Sequence, residues 1–229
     1  MKGISSMATR RLLETLTEGL PGVCVESVGG VDAESRVAGG EEFDLVFLSS
    51  AALARLAEGG HVDGTTITPL VVSQVAVAVP AGDDDPVRAE RPDGPAYPDA
   101  EGLRSALLGA GRIGYSTGPS GTALVDMIEA WGLTDDLAGR LVQARPGVPV
   151  ASLVADGEAD LGLQQLSELV GQPGIRVLGV LPPDAAIDTV FSGAVATTSS
   201  DPAGAADVLA FLASDAVAPT KAEHCFGTP

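Results

Sequence analysis

FDLVFLSS, residues Phe43 to Ser50, is the stretch whose reading decides the fold. Phe43–Leu48 is a continuous apolar strand rather than an alternating one, which is what a parallel sheet covered on both faces requires. Ser49-Ser50 close it and open a helix over Ala51–Ala57. The same strand–loop–helix grammar extends in both directions. Upstream, Gly3–Ser5 reads as the end of a short strand, followed by a helix over Met7–Glu18. That helix spaces Leu12, Leu13 and Leu16 on one face, with Ser5 or Ser6 as its N-cap. Val23–Val28 is a strand that ends in Gly29-Gly30 and leads into a helix reaching Ala38.

Downstream, Val71–Val79 is a long strand, and Ala81–Asp99, rich in Pro, Asp and Gly, is a loop. A helix over Ala100–Leu108, a strand over Arg112–Tyr115, the loop Ser116–Gly121 and a helix to Trp131 come next. Strands follow at Leu141–Ala144, Asp160–Leu163, Ile175–Val180 and Asp188–Ala196, with helices over Val150–Ala155 and Gln164–Val170. Asp201–Ser214 closes the series as a helix capped by Asp201, with Pro202 at its first position. Repeated units of this kind imply right-handed crossovers and mostly parallel sheets flanked by helices, an α/β fold.

Composition limits the partners. Of 229 residues, 45% are hydrophobic but only 3% aromatic, so Val, Leu and Ala must pack the core. The 31 acidic residues against 13 basic ones give a net charge of −18. A surface of that sign repels phosphate backbones and anionic membranes, which excludes nucleic acid as a partner. Cys24, inside an apolar run, reads as a buried small hydrophobe. Two isolated histidines, His61 and His224, cannot build a zinc site, so neither a metal nor a cofactor is expected. No apolar run suits membrane insertion. Met1-Lys2 leads into Gly3-Ile4-Ser5-Ser6 without a leader-like apolar segment, and this sets a cytoplasmic expectation, or a periplasmic or extracellular one if a leader was trimmed.

In open α/β sheets the ligand crevice lies beyond the strand C-termini. That rule singles out Ser5-Ser6, Ser27–Gly30, Ser49-Ser50 and Ser116–Gly121, the last containing Thr117 and Ser120. Each places hydroxyls and backbone N–H groups between a strand end and a helix start, with the positive helix end behind them. Taken singly, each serine is an N-cap. Taken together they describe an anion cradle of neutral donors. Arg36 could grip a carboxylate in bidentate fashion, or pair with Asp32 or Glu34 on its own helix.

Five stretches carry a resemblance: GISSMATRRLLETL (3–16), SVGGVDAESRVAGGEEFDLVFLSSAALARLAEGG (27–60), GRIGYSTGPSGTAL (111–124), GVPVASLVADGEADLGLQQLSEL (147–169) and IRVLGVLPP (175–183). In order and spacing the chain resembles the molybdate-binding proteins of ABC importers, type 2 periplasmic solute-binding proteins. The resemblance implies two α/β lobes with a cleft between them, joined by crossovers near Val75–Pro80 and Ile187–Ala194. With the long Val71–Val79 strand, it sets lobe I at 1–76 plus 195–229 and lobe II at 77–194. It also implies ligand contacts at Ser5 or Ser6, Gly29, Gly30, Ser120, Val148 and Gln165, and Ser49, Ser116, Thr117, Gly121 and Gln164 join these as neighbouring donors.

The chain departs from the molybdate binders where Gln165 replaces a tyrosine and Gly29-Gly30 replace a hydroxyl-bearing pair. Those departures argue against strict molybdate specificity. GEADLGLQQLSEL looks like the divergent branch that includes aconitate isomerase-like proteins, and paired amides suit carboxylates. The expected function is binding of a small anionic ligand, with cofactor-free isomerisation of a small unsaturated polycarboxylate. Tyr115 and Glu168 are the candidate acid/base groups. The alternative is a molybdate or oxyanion carrier serving an ABC importer.

Overall fold

The computed structural model describes all residues from Met1 to Pro229. The chain forms two compact units, Met1–Ser73 with Thr189–Pro229, and Gln74–Asp188.

The first unit is built on β1 (Lys2–Ser6), β2 (Cys24–Val28), β3 (Leu45–Ser49) and β9 (Asp188–Val195), in the order β2-β1-β3-β9. The first three are parallel: Ser5 stands beside Ser27 on one side and Phe47 on the other. β9 returns antiparallel, pairing Leu45 with Val195 and Ser49 with Phe191. This pairing explains why the second crossing falls at Asp188/Thr189 rather than at the expected 194/195. Residues 191–195 are bonded to β3 and belong to its unit.

The alternating side chains of β3 divide between two cores. Leu45 and Phe47 face Leu12, Leu13 and Leu16 of α1 (Arg10–Thr17) and Leu209 and Leu212 of α8 (Pro202–Ala213). Val46 and Leu48 face Ala33 and Val37 of α2 (Gly30–Ala38) and Leu53 and Leu56 of α3 (Ser50–Glu58). A strand with both faces covered has no position for a polar residue, and this is the cause of the unbroken Leu-Val-Phe-Leu run. Asp201 caps α8 as its sequence position implies, accepting from the Gly204 amide at 3.0 Å.

Cys24 corrects an expectation: it is exposed, not buried. It opens β2, which is the edge strand of this sheet, and an edge covers fewer of its residues than an interior strand does.

The second unit contains β4 (Thr68–Pro80, entering from the first unit), β5 (Ile113–Tyr115), β6 (Leu141–Gln143), β7 (Leu161–Gln165) and β8 (Ile175–Val180). β7, β5 and β6 run parallel, while β4 is antiparallel to both β7 and β8. One face packs on α4 (Ala100–Gly109) and α5 (Pro119–Ala130) through Leu103, Leu107, Leu124 and Ile128. The other receives α6 (Val150–Ala155), and a glycine permits the approach. A Cβ on Gly162 of β7 would stand 2.6 Å from the Val154 side chain and 3.0 Å from that of Val150. The remaining helices are α7 (Leu166–Leu169) and α9 (Ala218–Glu223).

Gln164 and Gln165 also depart from expectation. They end β7, paired with Ala76 and Val75 of β4, and do not begin the helix that follows.

Candidate functional site

In the first unit the parallel register brings the C-terminal ends of β1, β2 and β3 to one edge of the sheet, as right-handed crossovers require. Ser5, fully buried, hydrogen-bonds the Ser27 hydroxyl at 2.7 Å and the Ser6 carbonyl at 3.3 Å. Its hydroxyl therefore ties β1 to β2. Ser6, one residue on, points to the other face of the pleat. It is 6% exposed, and its hydroxyl has no hydrogen-bond partner. Its Cβ lies 3.6 Å from the position a Cβ on Gly30 would occupy, so the hydroxyl sits against the first turn of α2. Gly29 is the N-cap of that helix and offers it no side-chain acceptor. A buried, unsatisfied hydroxyl beside an uncapped helix start is a donor set for an anion.

Ser49 accepts from the Ala52 amide at 3.3 Å and caps α3, and Ser50 bonds the Ser192 hydroxyl at 2.7 Å. Ser49 thus takes the capping role. Arg36 does not face this set. It pairs with Glu41 through two contacts of 2.6 Å and with Glu26 at 2.7 Å, partners on other elements than the Asp32 and Glu34 expected. These two carboxylates push its guanidinium pKa further up.

In the second unit, β5 and β7 end side by side, with Tyr115 opposite Leu163. Beyond Tyr115 the chain turns sharply into α5. Ser116 and Ser120 bond hydroxyl to hydroxyl at 3.0 Å, and the Gly118 amide donates to Ser116 Oγ at 3.2 Å. The pair has two hydroxyl hydrogens and one mutual bond, so one hydrogen remains to donate outward. Gly121 makes the turn possible, because a Cβ there would stand 1.8 Å from the Ser116 carbonyl oxygen. Thr117 lies between them, half-buried. The Tyr115 ring packs against the apolar core of the unit.

β7 delivers the titratable group. Gln164 is 3% exposed; its Oε1 accepts from the Val150 amide at 2.9 Å and its Nε2 donates to Glu168 Oε1 at 2.8 Å. Gln164 is therefore engaged at both ends of its amide, with one Nε2 hydrogen not used in these two bonds. Gln165 is 1% exposed and forms the N-cap position of α7. Burial pushes the Glu168 carboxyl up to about 7, and the Gln164 hydrogen bond opposes that rise only in part. The Val148 amide donates to the Arg145 carbonyl at 2.9 Å and closes a turn. Sequence reasoning placed Ser27 at a strand end but missed its bond to Ser5, and it missed the Val150 amide, the partner of Gln164. No sequence spacing marks either pair, because both arise across neighbouring elements.

The groups a metal would need do not gather: no cluster of three or more His, Cys, Asp or Glu side chains is arranged to hold an ion. No helix is long and apolar enough to cross a membrane.

The α/β fold is that of solute-binding proteins. Residues 22–227 match the family model of bacterial extracellular solute-binding proteins, and the chain belongs to that family. An aconitate isomerase from Pseudomonas sp. is 33% identical over 180 residues, which cover 79% of this chain and 65% of that relative's length. Among solved structures, the periplasmic molybdate-binding protein of Azotobacter vinelandii superposes with a TM-score of 0.77 at 17% identity, covering 100% of this chain and 99% of that one. The sulfate-binding protein SubI from Mycobacterium tuberculosis gives 0.62 at 20% identity, covering 99% and 85%. The extracellular character of the family runs against the cytoplasmic expectation.

Proposed function

We propose that the chain binds a small unsaturated polycarboxylate and isomerises it by a proton shift, without a cofactor, as an aconitate isomerase-like protein. The observation that carries this reading is Glu168, a half-buried carboxyl on α7 just past the parallel strand β7, held at one oxygen by Gln164 and with its pKa raised by burial to about 7. A group poised there can both take and return a proton at neutral pH. In an allylic shift the base removes a proton from the methylene beside the alkene. The double bond moves by one carbon, and the same proton or one from solvent is returned to the former alkene carbon. Atoms and electrons balance with no oxidant.

The charge that develops spreads onto a substrate carboxylate, and the outward hydrogen of the Ser116–Ser120 pair is suited to meet it. Of the two acid/base candidates, Glu168 is the stronger, because the Tyr115 ring is engaged in the core. Likeness to the Pseudomonas aconitate isomerase supports the same substrate class. The family description supports an extracytoplasmic location.

A second reading is favoured by a separate observation. The unpartnered Ser6 hydroxyl beside the start of α2 suits an oxyanion, as it would in a carrier that delivers its solute to an ABC importer.

The test is incubation with cis- and trans-aconitate in deuterated water, followed by proton NMR. Interconversion with deuterium entry supports the isomerase. Tight molybdate or sulfate binding with neither turnover nor exchange would leave the carrier reading in its place.

A further inference from the structure

We infer that Gln164 is a positioning residue for Glu168: one buried amide ties the start of α6 to one oxygen of the Glu168 carboxyl and leaves the other oxygen open to substrate. The inference rests on the isomerase reading for its substrate class, a small unsaturated carboxylate.

The orientation of the amide is decided by its neighbours. The Val150 N–H can only donate, so the atom 2.9 Å from it must be Oε1. Nε2 then faces Glu168, and at 2.8 Å its N–H donates to Oε1 of the carboxylate. Reversal would place donor against donor at Val150 and acceptor against carboxylate at Glu168. The bridge is rigid because each end is fixed. Gln164 is held in β7 opposite Ala76 of β4, and α6 is pressed onto the sheet over Gly162.

Glu168 is held from one side only. Its single hydrogen bond is the one from Gln164, so Oε2 takes none. Nor is Oε2 among the buried atoms that lack a partner, which leaves it reachable. No charged side chain stands on β7 (LGLQQ) or on α6 (VASLVA), the elements packed against α7. Burial raises the carboxyl pKa, and the Gln164 donor is the one group that limits the rise. The geometry thus gives a base with a fixed oxygen, a free oxygen and a neutral support.

The test titrates Glu168 in protein carrying ¹³C at the glutamate side-chain carboxyls, the resonance being assigned by its loss in Glu168→Gln. Gln164→Met removes the donor at similar volume and should move the midpoint further up, on the order of one pH unit. Gln164→Glu keeps the acceptor for Val150 but sets a second carboxyl against the first, and should raise the midpoint of the pair more. In the double variant Gln164→Glu with Glu168→Gln, the amide and carboxylate exchange places. It should recover the melting temperature lost in Gln164→Glu while remaining inactive.

With aconitate as the probe, Gln164→Met should lower kcat at least about tenfold and leave KM within about twofold. An unchanged midpoint in a folded Gln164→Met or Gln164→Glu protein would overturn the assignment. If Gln164→Met does not fold, Gln164→Glu decides. Wild-type protein that neither interconverts the aconitates nor exchanges deuterium would defeat the isomerase reading, while the ¹³C titration would still decide the positioning role.

Discussion

The two units end their parallel strands in the same way and equip the ends differently. In the first, the strand ends carry hydroxyls and glycines: Ser6 without a partner, Ser5 engaged with Ser27, Ser49 capping α3 and Gly29-Gly30 opening α2. Nothing in that set titrates near neutrality. The second carries a hydroxyl pair, Ser116 and Ser120, past the end of β5 and a carboxyl whose pKa is raised to about 7, Glu168, past the end of the neighbouring β7. One frame yields a set of donors that can hold charge and a set that can also move a proton. A solute-binding fold needs only the first kind on each unit, so the proposed isomerisation stands or falls with Glu168.

The widest difference should come from removing that carboxyl. Glu168→Gln keeps the shape and can still bond Gln164, but it cannot accept a proton. Interconversion of aconitates should fall by about 10² to 10⁴-fold, the usual contribution of a general base. Equilibrium binding of the same acids, followed by calorimetry, should persist. Turnover retained within a few-fold would shift the proton transfer to another group and dissolve the contrast between the units.

Next in size is the turn that presents the hydroxyl pair. Gly121→Ala puts a methyl group 1.8 Å from the Ser116 carbonyl oxygen, and backbone cannot yield as a flexible side chain would. A loss of about 3 kcal/mol in urea unfolding is expected. Gly30→Ala in the first unit meets Ser6 Cβ at an ordinary 3.6 Å and should change stability little. Equal losses at the two glycines would show that the second turn is no tighter than the first.

The pH dependence of stability sharpens the comparison further. Folding raises the Glu168 pKa from its ordinary 4.5 to about 7, so the native state holds more protons than the unfolded chain between those values. Its contribution is therefore full below about 4.5 and is lost as pH rises through 7. The loss should be roughly 2 to 3 kcal/mol. Glu168→Gln should abolish that slope, so that at pH 8 the variant is the more stable protein by denaturant unfolding. A parallel pair of pH–stability curves would contradict the raised pKa.

Much of this was legible before any coordinates. The unbroken run in β3 announced a strand covered on both faces, and Asp201-Pro202 announced the start of α8. The loops at the strand ends were found by the same reasoning. What escaped depends on lateral neighbours. Whether Cys24 is buried turns on β2 being an edge strand, which periodicity along one strand cannot reveal. Ser5 and Ser6 look equivalent in sequence, yet pleat alternation engages one with Ser27 and leaves the other without a partner. The Gln164 side chain is matched by groups on two other elements, the Val150 amide of α6 and Glu168 of α7. The burial that raises the Glu168 pKa depends on α6 packing against α7, which no spacing in the sequence marks.

The smallest expected effect tests the first unit alone. Ser6 is 6% exposed and its hydroxyl lacks a partner, so the folded protein bears the cost of removing that group from water with no hydrogen bond in return. Ser6→Ala removes the group and one oxygen's volume, and the protein should become more stable by up to about 1 kcal/mol. If the hydroxyl instead donates to a bound anion, the same change should weaken binding by about 1 to 2 kcal/mol, the lower part of the range for a bond to a charged acceptor. The two effects have opposite signs, which makes the experiment informative at small magnitude. Thermal melts with and without aconitate, molybdate and sulfate measure both at once: the apo midpoint should rise, and the ligand-induced shift should shrink. A lower apo midpoint would mean that the hydroxyl satisfies a structural need. An undiminished ligand shift with every anion would remove Ser6 from the donor set and leave the second unit as the principal holder of charge.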